Sequence, residues 1–574
     1  MKKIVLPVLL ALASVALPAA VHAQTATCPA TASSVVTVPA QTITTNTTWT
    51  RNNIYLLNGF VYVDNGATLT IESGTIIKGD LTNKGTLVIR QGAKIQAAGT
   101  ATQPIVFTSN QPAGSRAPGD WGGVIILGRA PQNLPGSPSI EGGVVGTFGG
   151  TDPLDNSGVF QYVRIEYPGV AFLPDNEING LTLGGVGAGT TIDHIQVTGS
   201  GDDSFEWFGG TVNAKYLIAY AGTDDDFDTD NGFSGRVQFG VAVRNPQRGD
   251  FASGGVSNGF ESDNDATGTA NTPQTSAVFS NMTVLMPAQT TYATPFTNSA
   301  GALIRRNSAQ SIFNTVFANR PFGLILNSNS TNLTTANAAA NTLQFQNNVL
   351  VGATSRTGRV TTNSGTTAGF SINSFVSSNA NDTTRTVAAL GLNADNFQFN
   401  GVCTLANKTC APSFELPAGS LLSTGAAFSS AKLTGAGQGV NGTFDVVTYR
   451  GAFGSTNWAT GWTNFNPQFT CYNTPGAVLA TREVANAPLQ SLTVSPNPTD
   501  GTAATLGFDV KTATTATVRV VDLLGREVAT VLNAGKLNAG PQRLLLPASL
   551  APGIYVATVA TADAVQSVRF VVTK

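Results

Sequence analysis

Charged residues are scarce in this chain, and no run of like charge stands out. Only 11% of the 574 residues are Asp, Glu, Lys or Arg, against about 25% in an ordinary soluble domain. Lys and Arg total 31 against 33 Asp and Glu, so the formal net charge is −2. Without a basic run there is no surface that tracks a phosphate backbone, so we expect no nucleic-acid partner. Long charged helices are equally unexpected.

Histidine is almost absent from the chain. The two histidines are His22 and His194, and His22 lies within an amino-terminal segment that we expect to be removed. A single remaining imidazole disfavours serine-hydrolase triads, histidine-rich zinc sites and histidine relays.

Long apolar runs are missing beyond the first 23 residues. Residues 1–23 combine a basic start at Lys2 and Lys3, an apolar core and a small-residue ending at residues 21–23. This order is typical of a secretory signal peptide. No later stretch approaches the roughly 18 apolar residues of a transmembrane helix. The sequence therefore predicts a protein that is secreted or held at the outer cell surface, with no membrane span.

Cysteine is also rare, with four residues in the whole chain. In an exported protein an even number of cysteines favours disulfides, and four cysteines allow three complete pairings. Cys403 and Cys410 flank a short polar loop, so we expect them to pair with each other. That pairing leaves Cys28 to bond with Cys471. No CxxC motif occurs, so we predict neither a zinc site nor a redox motif.

What the chain has in abundance is glycine, 62 residues of it, between short apolar segments. Segments this brief, with turn residues at every break, are typical of strands rather than helices. The first four run in sequence as GATLTIESGTIIKGD (66–80), KGTLVIRQGAKIQAAGT (84–100), PIVFTS (104–109) and WGGVIILG (121–128).

The segments repeat with a short period. A shift of 22 residues superimposes one acidic, aromatic motif on the next, carrying Asp202, Asp203, Phe205, Glu206 and Gly210 onto Asp224, Asp225, Phe227, Asp228 and Gly232. A coil of this length cannot bury its own inward side chains, so equivalent positions must stack on the neighbouring coil. We therefore predict an all-β chain with a right-handed parallel β-helix over residues 24–380. A β-propeller is the alternative, but its blades need a period near 40 residues. Asn-rich turns at Asn314, Asn347 and Asn348 suit the corners of the coils.

Five stretches of this body are distinctive: GDWGGVIILGRAP (119–131), YVRIEYPGV (162–170), NEINGLTLGGVGAGTTIDHIQV (176–197), GDDSFEWFGGTVNAKYL (201–217) and DDDFDTDNGFSG (224–235). They resemble bacterial parallel β-helix proteins of the pectin-lyase-like group. The resemblance covers roughly residues 45–320. It implies the fold, and it implies little about activity.

An acidic ladder runs along the predicted coils. If Phe205, Phe227 and Phe260 point inward, strand alternation turns the next residue of each coil outward. Carboxylates on adjacent coils then lie about 4.8 Å apart, and at an effective dielectric of about 20 two such charges repel by ~3 kcal/mol. Bound calcium would offset this repulsion, because it takes six to eight oxygen ligands in irregular geometry. The candidate ligands are Glu206, Asp228, Asp230, Glu261 and Asp263. The alternative is a solvated acidic face screened by salt.

Two classes of function fit these features. The first is a non-catalytic surface protein that binds a glycan or another partner along its long solenoid, with calcium stiffening the ladder. The second is a calcium-dependent lyase acting on acidic polysaccharide, which needs Arg or Lys as the base. Lys215 and Arg236 are the nearest candidates in sequence, although neither lies in a lyase signature. A glycoside hydrolase is a further variant of the enzyme class, with the Asp202-Asp203 and Asp224-Asp225 doublets as its acids.

The coil period fades after residue 380. We expect an irregular, β-rich extension and linker over residues 381–488, followed by a separate domain at residues 489–574. That domain has about seven short segments of alternating apolar and polar residues between Gly and Pro turns, which predicts an immunoglobulin-like β-sandwich.

The carboxyl-terminal segment carries motifs around Pro496, Asn497, Pro498, Gly525, Gly553, Tyr555 and Lys574. With these motifs it resembles the type A sorting domain of the type IX secretion system. An ordinary adhesion sandwich is the alternative. The resemblance implies that the domain is an address read by the secretion machinery at the outer membrane, after which the passenger is released or joined to surface polysaccharide.

Overall fold

The structure is a computed structural model, and it divides the chain into two compact units, Met1–Thr481 and Arg482–Lys574. The predicted signal peptide, residues 1–23, lies outside the described residues. The described residues are Cys28 and 34–173, 176–251, 255–289, 292–328, 331–352, 359–361, 366–393, 412–476, 489–500, 504–510, 512–522, 526–548, 550–561 and 565–573.

The first unit is a right-handed parallel β-helix, as the 22-residue repeat predicts. Within the described residues, 25 strands join into one parallel sheet system that follows the coils. The strands of its amino-terminal half are β1 (Val35–Ile43), β2 (Thr47–Trp49), β3 (Ile54–Val63), β4 (Thr68–Ile71), β5 (Ile76–Gly79), β6 (Thr86–Ile89), β7 (Lys94–Ala98), β8 (Ile105–Ser109), β9 (Val124–Leu127), β10 (Gly158–Glu166), β13 (Leu181–Gly184) and β14 (Thr191–Thr198), with β11 (Ala171–Leu173) and β12 (Asn176–Glu177) forming a small separate antiparallel pair.

The solenoid continues through further strands, with two brief helices between them and a third after the last strand. The strands are β15 (Phe205–Phe208), β16 (Ala214–Tyr220), β17 (Phe227–Asp230), β18 (Arg236–Val243), β19 (Phe260–Ser262), β20 (Val278–Leu285), β21 (Ala300–Arg305), β22 (Ser311–Phe313), β23 (Val316–Ala318), β24 (Phe322–Asn327), β25 (Phe345–Gln346), β26 (Val349–Val351) and β27 (Arg359–Thr361), and the helices are α1 (Thr294–Thr297), α2 (Thr334–Ala339) and α3 (Ile372–Ser377). Among the described residues, every helix falls short of the length and hydropathy that a membrane span requires.

Inward side chains stack in columns from coil to coil. Phe205, Phe227 and Phe260 are fully buried, and their Cα atoms are direct partners across β15, β17 and β19. The ring centroids lie 5.6 Å apart for the first pair and 5.3 Å for the second. This confirms the predicted column, and it fixes the register of the residues that follow each phenylalanine.

One corner of the coils is a column of residues with left-handed backbone. Their φ angles lie between 48° and 62°, a region that most side chains avoid and that Asn tolerates. His194 stacks between Tyr162 and Tyr216, with ring centroids 4.3 Å from each. The column is formed by Tyr162, His194, Tyr216, Phe239, Asn281, Asn314 and Asn347.

Residues 412–476, which we call the strap, pack along this side of the solenoid. Where the sequence predicts a β-rich extension, the described residues of 381–488 contain no strand, only short 3-10 helices at Ala388–Leu390, Leu421–Ser423 and Pro467–Phe469. The reason is that coil side-chain amides take the place of ladder partners. Gln196, Gln238 and Asn314 each both donate to and accept from the strap backbone, at Asn464, Asp445 and Ala427.

A disulfide fixes the end of the strap. Cys28 bonds to Cys471, which is the pairing expected for the two outer cysteines. Next to it, the Tyr472 hydroxyl donates to Glu166 Oε1 at 2.6 Å in a fully buried cluster. The predicted Cys403–Cys410 pair lies outside the described residues.

The second unit has two antiparallel sheets that enclose one apolar cluster, the arrangement of a β-sandwich. Asn497 Oδ1 accepts the backbone N–H of Val571 at 2.9 Å, and Tyr555 donates to the Ala551 carbonyl at 2.9 Å. Of the predicted sorting residues, Gly525 and Lys574 lie outside the described part of the chain. The strands are β28 (Leu489–Ser495), β29 (Thr505–Val510), β30 (Thr514–Asp522), β31 (Glu527–Leu537), β32 (Gly540–Leu545), β33 (Gly553–Thr561) and β34 (Val565–Val572).

Candidate metal centre

The acidic ladder lies on three neighbouring strands of the solenoid. Because the phenylalanines are in register, Glu206 on β15 is the direct partner of Asp228 on β17, and Asp228 is the partner of Glu261 on β19. Alternation along each strand turns these side chains away from the aromatic core. The ladder therefore has the spacing that the sequence predicts.

The carboxylates converge most tightly at the amino-terminal end of the ladder. Asp203, Glu206 and Asp228 each offer a carboxylate oxygen within 4.8 Å of the others, and Asp202, Asp203 and Asp224 do the same. Asp203 belongs to both groups. We call these five residues the acidic cluster. The sequence pattern predicted Glu206 and Asp228 as metal ligands. It suggested the Asp202-Asp203 and Asp224-Asp225 doublets only as hydrolase acids, although their shared 22-residue offset placed them on the same coils.

The acidic cluster is enclosed and lacks a basic partner. Asp203 and Glu206 are each 6% exposed. Asp203 accepts the Asp225 backbone N–H at 2.7 Å, and Glu206 accepts from the Asn179 side-chain amide. Within the described residues, no Lys, Arg or His forms an ion pair with any cluster member.

Unpartnered oxygen atoms surround the same carboxylates. Asn179 is 1% exposed, and its Oδ1 accepts no hydrogen bond from the described residues, while its Nδ2 points at Glu206. Thr182, fully buried, is the strand partner of Glu206, and its hydroxyl is also unpartnered. Asp228 Oδ1 is a third such atom. These hard oxygen donors in irregular geometry fit calcium better than zinc or a softer metal.

The cluster's carboxyl groups have strongly raised pKa values. Burial is the main cause for Asp203, Glu206, Asp224 and Asp228, and neighbouring carboxylates raise the pKa further. For Asp202, burial and then the nearby Glu141 raise the pKa to about 8. Loss of a proton is therefore unfavourable unless another cation balances the charge.

The other end of the predicted ladder is neutralised by the protein itself. Arg305, at the end of β21, contacts the Glu261 carboxylate and lies 2.9 Å from Asp263 Oδ2. Burial and the neighbouring Asp263 raise the pKa of Asp230 to about 8. The five predicted ligands thus do not form one site. Glu206 and Asp228 lie in the acidic cluster, whereas Glu261 and Asp263 are bound to an arginine that sequence reasoning missed.

A second arginine system braces the coils next to the cluster. Asp226, fully buried, pairs with Arg244 at 2.9 Å and Arg320 at 3.0 Å. The two guanidinium groups also donate to the carbonyls of Gly222 and Ser257, both at 2.8 Å. Their terminal nitrogens are held by the fold, so these arginines act as structural ties, while the Nε of each donates no hydrogen bond within the described residues.

The two residues considered as bases for a lyase lie elsewhere. Lys215 pairs with Asp445 of the strap at 2.8 Å. Arg236 donates to the Gly442 carbonyl at 2.9 Å and covers the Phe444 ring. Both side chains are thus held by the strap rather than by the acidic cluster.

Comparison with known proteins agrees with this architecture. No curated protein matches the chain. A family model described as a pectate-lyase-like β-helix domain matches residues 41–463, which include nearly all of the solenoid, the acidic cluster and most of the strap. The chain therefore belongs to the pectate-lyase-like β-helix family.

Proposed function

We propose that this chain is an exported β-helix protein that binds calcium in the acidic cluster and uses its solenoid for non-catalytic binding of a glycan or another partner. The observation that carries the proposal is that Asp203, Glu206 and Asp228 each place a carboxylate oxygen within 4.8 Å of the others. Among the described residues, no Lys, Arg or His forms an ion pair with any of the three.

Electrostatics favours a bound cation at this place. Two carboxylates at ladder spacing repel by ~3 kcal/mol at an effective dielectric of about 20, and burial adds a desolvation penalty for each charge. Protons relieve both penalties in acid. Near neutral pH, calcium does the same when oxygen ligands surround it, and Asn179 and Thr182 supply additional neutral oxygens.

Binding is preferred to cleavage because of where the basic residues lie. Removal of a proton next to a uronate carboxylate needs a base close to the metal. Lys215 and Arg236 are engaged by the strap, and Arg305 is engaged by two carboxylates. This arrangement supports a cation with a structural or ligand-holding role.

The calcium proposal is tested by thermal unfolding of the chain from residue 24 onward. Calcium is expected to raise the Tm relative to the same protein in chelator, because a ligand that binds only the folded state stabilises it. Magnesium at equal concentration serves as the control and is expected to have a smaller effect, since it demands octahedral geometry. Equal Tm values in calcium and in chelator would contradict the proposal.

The choice between binding and cleavage is tested separately. Pectate and alginate are incubated with calcium-loaded protein, and the ultraviolet absorbance of an unsaturated uronate product is followed. We expect no product, together with retention of the protein on one or more glycans of an immobilised panel. Product formation that is lost in the Glu206→Ala variant would establish the lyase instead.

Delivery by type IX secretion is the remaining part of the proposal. It is supported by the sorting-domain motifs and by the sandwich architecture of the second unit. Deleting residues 489–574 is expected to keep the passenger inside the cell envelope, whereas the full chain reaches the surface or the medium. Equal amounts outside the cell for both forms, measured by fractionation and immunoblotting, would contradict this route.

A further inference from the structure

Arg305 occupies a distinctive position at the end of the acidic ladder. β21 pairs with β19 so that Leu303 lies opposite Glu261 and Ile304 opposite Ser262, which places Arg305 beside Asp263. Its Nε lies 2.9 Å from Asp263 Oδ2, and its terminal nitrogen contacts Glu261. One side chain thus bridges carboxylates from two positions of the same coil.

We infer that Arg305 is a built-in counter-cation that occupies a second cation site and thereby confines calcium to the acidic cluster. The inference rests on the proposed calcium binding. The guanidinium contacts Glu261 and Asp263. The equivalent carboxylates one coil earlier, Asp228 and Asp230, have no ion-pair partner among the described residues.

Carboxylate oxygens lie around Arg305, and one of them, Asp263 Oδ1, also lies 3.6 Å from the Nε of Arg306. Asp263 is 6% exposed, and its Oδ1 accepts no hydrogen bond from the described residues. Asp228 Oδ1, on the adjacent coil, is likewise unpartnered. Together with Glu261, these groups offer carboxylate oxygens from two neighbouring coils, the donor type that calcium prefers. Without the Arg305 guanidinium, the remaining ion-pair partner of these carboxylates among the described residues is Arg306, at 3.6 Å from Asp263 Oδ1, so less of their mutual repulsion is offset.

The decisive experiment counts calcium ions bound per chain by equilibrium dialysis at neutral pH. Arg305→Gln keeps most of the side-chain length and its hydrogen-bonding capacity but removes the charge. We expect this variant to bind one more calcium ion than the wild type. Arg305→Lys keeps a positive charge and is expected to bind the wild-type number. An unchanged count in Arg305→Gln overturns the inference.

Arg306→Gln is the matched control. Arg306 follows directly in the chain and loses the same charge on substitution, but its Nε lies 3.6 Å from Asp263 and it donates to the Ala266 carbonyl. We expect its calcium count to equal that of the wild type. An extra ion in this variant as well would mean that net charge, rather than the Arg305 position, governs binding.

The two proposals fail in distinguishable ways. If the wild type binds no calcium and Arg305→Gln binds one ion, the proposed function fails, whereas the occupation of a cation site by Arg305 stands. If both bind the same number of ions and that number is not zero, the role of Arg305 fails alone, and if neither binds calcium both proposals fail.

A second variant covers the case in which Arg305→Gln does not fold. Glu261→Gln combined with Asp263→Asn, in the wild-type background, is expected to leave the calcium count unchanged because Arg305 holds these carboxylates. Loss of an ion from this double variant overturns the inference without any need for the arginine substitution.

Discussion

Asp226 and Asp228 show how position on one coil decides what a carboxylate does. Asp226 receives two fully buried arginines, Arg244 and Arg320, at 2.9 and 3.0 Å. Asp228, two residues later, faces other carboxylates, and within the described residues it has no ion-pair partner. The first aspartate is a structural tie between coils. The second needs a proton or a bound cation.

Asn substitutions at these two positions are expected to have opposite effects. Asp228→Asn removes one charge from the cluster, so the Tm in chelator is expected to rise by about 1–3 °C, while the calcium-induced rise disappears. Asp226→Asn leaves two guanidinium groups buried without their counter-charge and is expected to destabilise the fold by roughly 3–5 kcal/mol. Thermal melts of both variants with calcium and with chelator test this. A full calcium response in Asp228→Asn would remove that residue from the site.

The stability of the metal-free protein is expected to fall as pH rises. The ordinary carboxyl pKa is near 4, and in the folded protein the pKa of Asp202 is raised to about 8 by burial and neighbouring acids. Between these values the folded state holds protons that the unfolded chain releases, so the stability present below the lower pKa is lost as pH approaches the higher one.

Calcium is expected to reverse that loss because it replaces the protons. The Tm difference between calcium and chelator should therefore be small near pH 5 and large near pH 8, where protons no longer compete for the carboxylates. Melting curves at both pH values, in buffers that do not bind calcium, measure it. A calcium effect of equal size at the two pH values would show that the raised carboxyls are not the ligands.

The contacts of single residues explain why the site was only partly predictable. Glu206 and Asp228 were found because they repeat at the same 22-residue offset as their phenylalanines. Arg305 lies 42 residues after Asp263, and insertions between coils hide that register in the sequence. Asn179, in the turn before β13, has no periodic signal. The ladder was therefore predictable, whereas its counter-ion and its neutral oxygens were not.

At the scale of elements, the column of left-handed residues forms a shared corner of the coils. Asn314 and Asn347 were expected at such corners and have the left-handed φ angles that Asn tolerates. Tyr162, His194 and Tyr216 were not expected there, because bulky side chains disfavour this backbone. Their rings stack at 4.3 Å, and this packing offsets the backbone strain.

Substitution of His194 separates strain from stacking. Asn is favoured over His in the left-handed region, but the His194→Asn variant loses the ring contacts. We therefore expect its free energy of unfolding to lie within about 1 kcal/mol of the wild-type value. His194→Val loses the stacking and places a β-branched residue at positive φ, and we expect roughly 2 kcal/mol of destabilisation. Urea unfolding of both variants measures the difference.

Gln161 provides the control for the corner prediction. It lies on β10 one residue before the corner and has extended backbone, where Val is favoured over Asn. Gln161→Val is therefore expected to be at least as stable as Gln161→Asn. The same order at His194 would show that the left-handed backbone does not govern that position.

At the scale of the whole β-helix unit, the strap and its disulfide connect distant coils. The repeat predicted the solenoid because columns of inward residues leave a periodic pattern. The strap left none, because it forms no strand. Coil amides bind its backbone, and buried aromatic side chains such as Phe453 and Trp462 pack it onto the coils. Cys28 and Cys471 were predicted as partners only by elimination, after Cys403 and Cys410 were assigned to each other.

Replacing Cys28 and Cys471 with serine is expected to release the end of the strap. A cross-link that closes a loop of hundreds of residues restricts the unfolded chain strongly, so its loss is expected to destabilise the unit by roughly 2–5 kcal/mol. Trypsin should then cleave more readily after Lys432 and Arg450 of the strap. The predicted Cys403–Cys410 bond would close a far shorter loop, so replacing both of these cysteines with serine is expected to have a smaller effect. The calcium-induced rise in Tm should persist in both double variants, because the acidic cluster is held by β15 and β17 rather than by the strap. Loss of that rise along with the Cys28–Cys471 bond would instead mean that the strap sets the geometry of the metal centre.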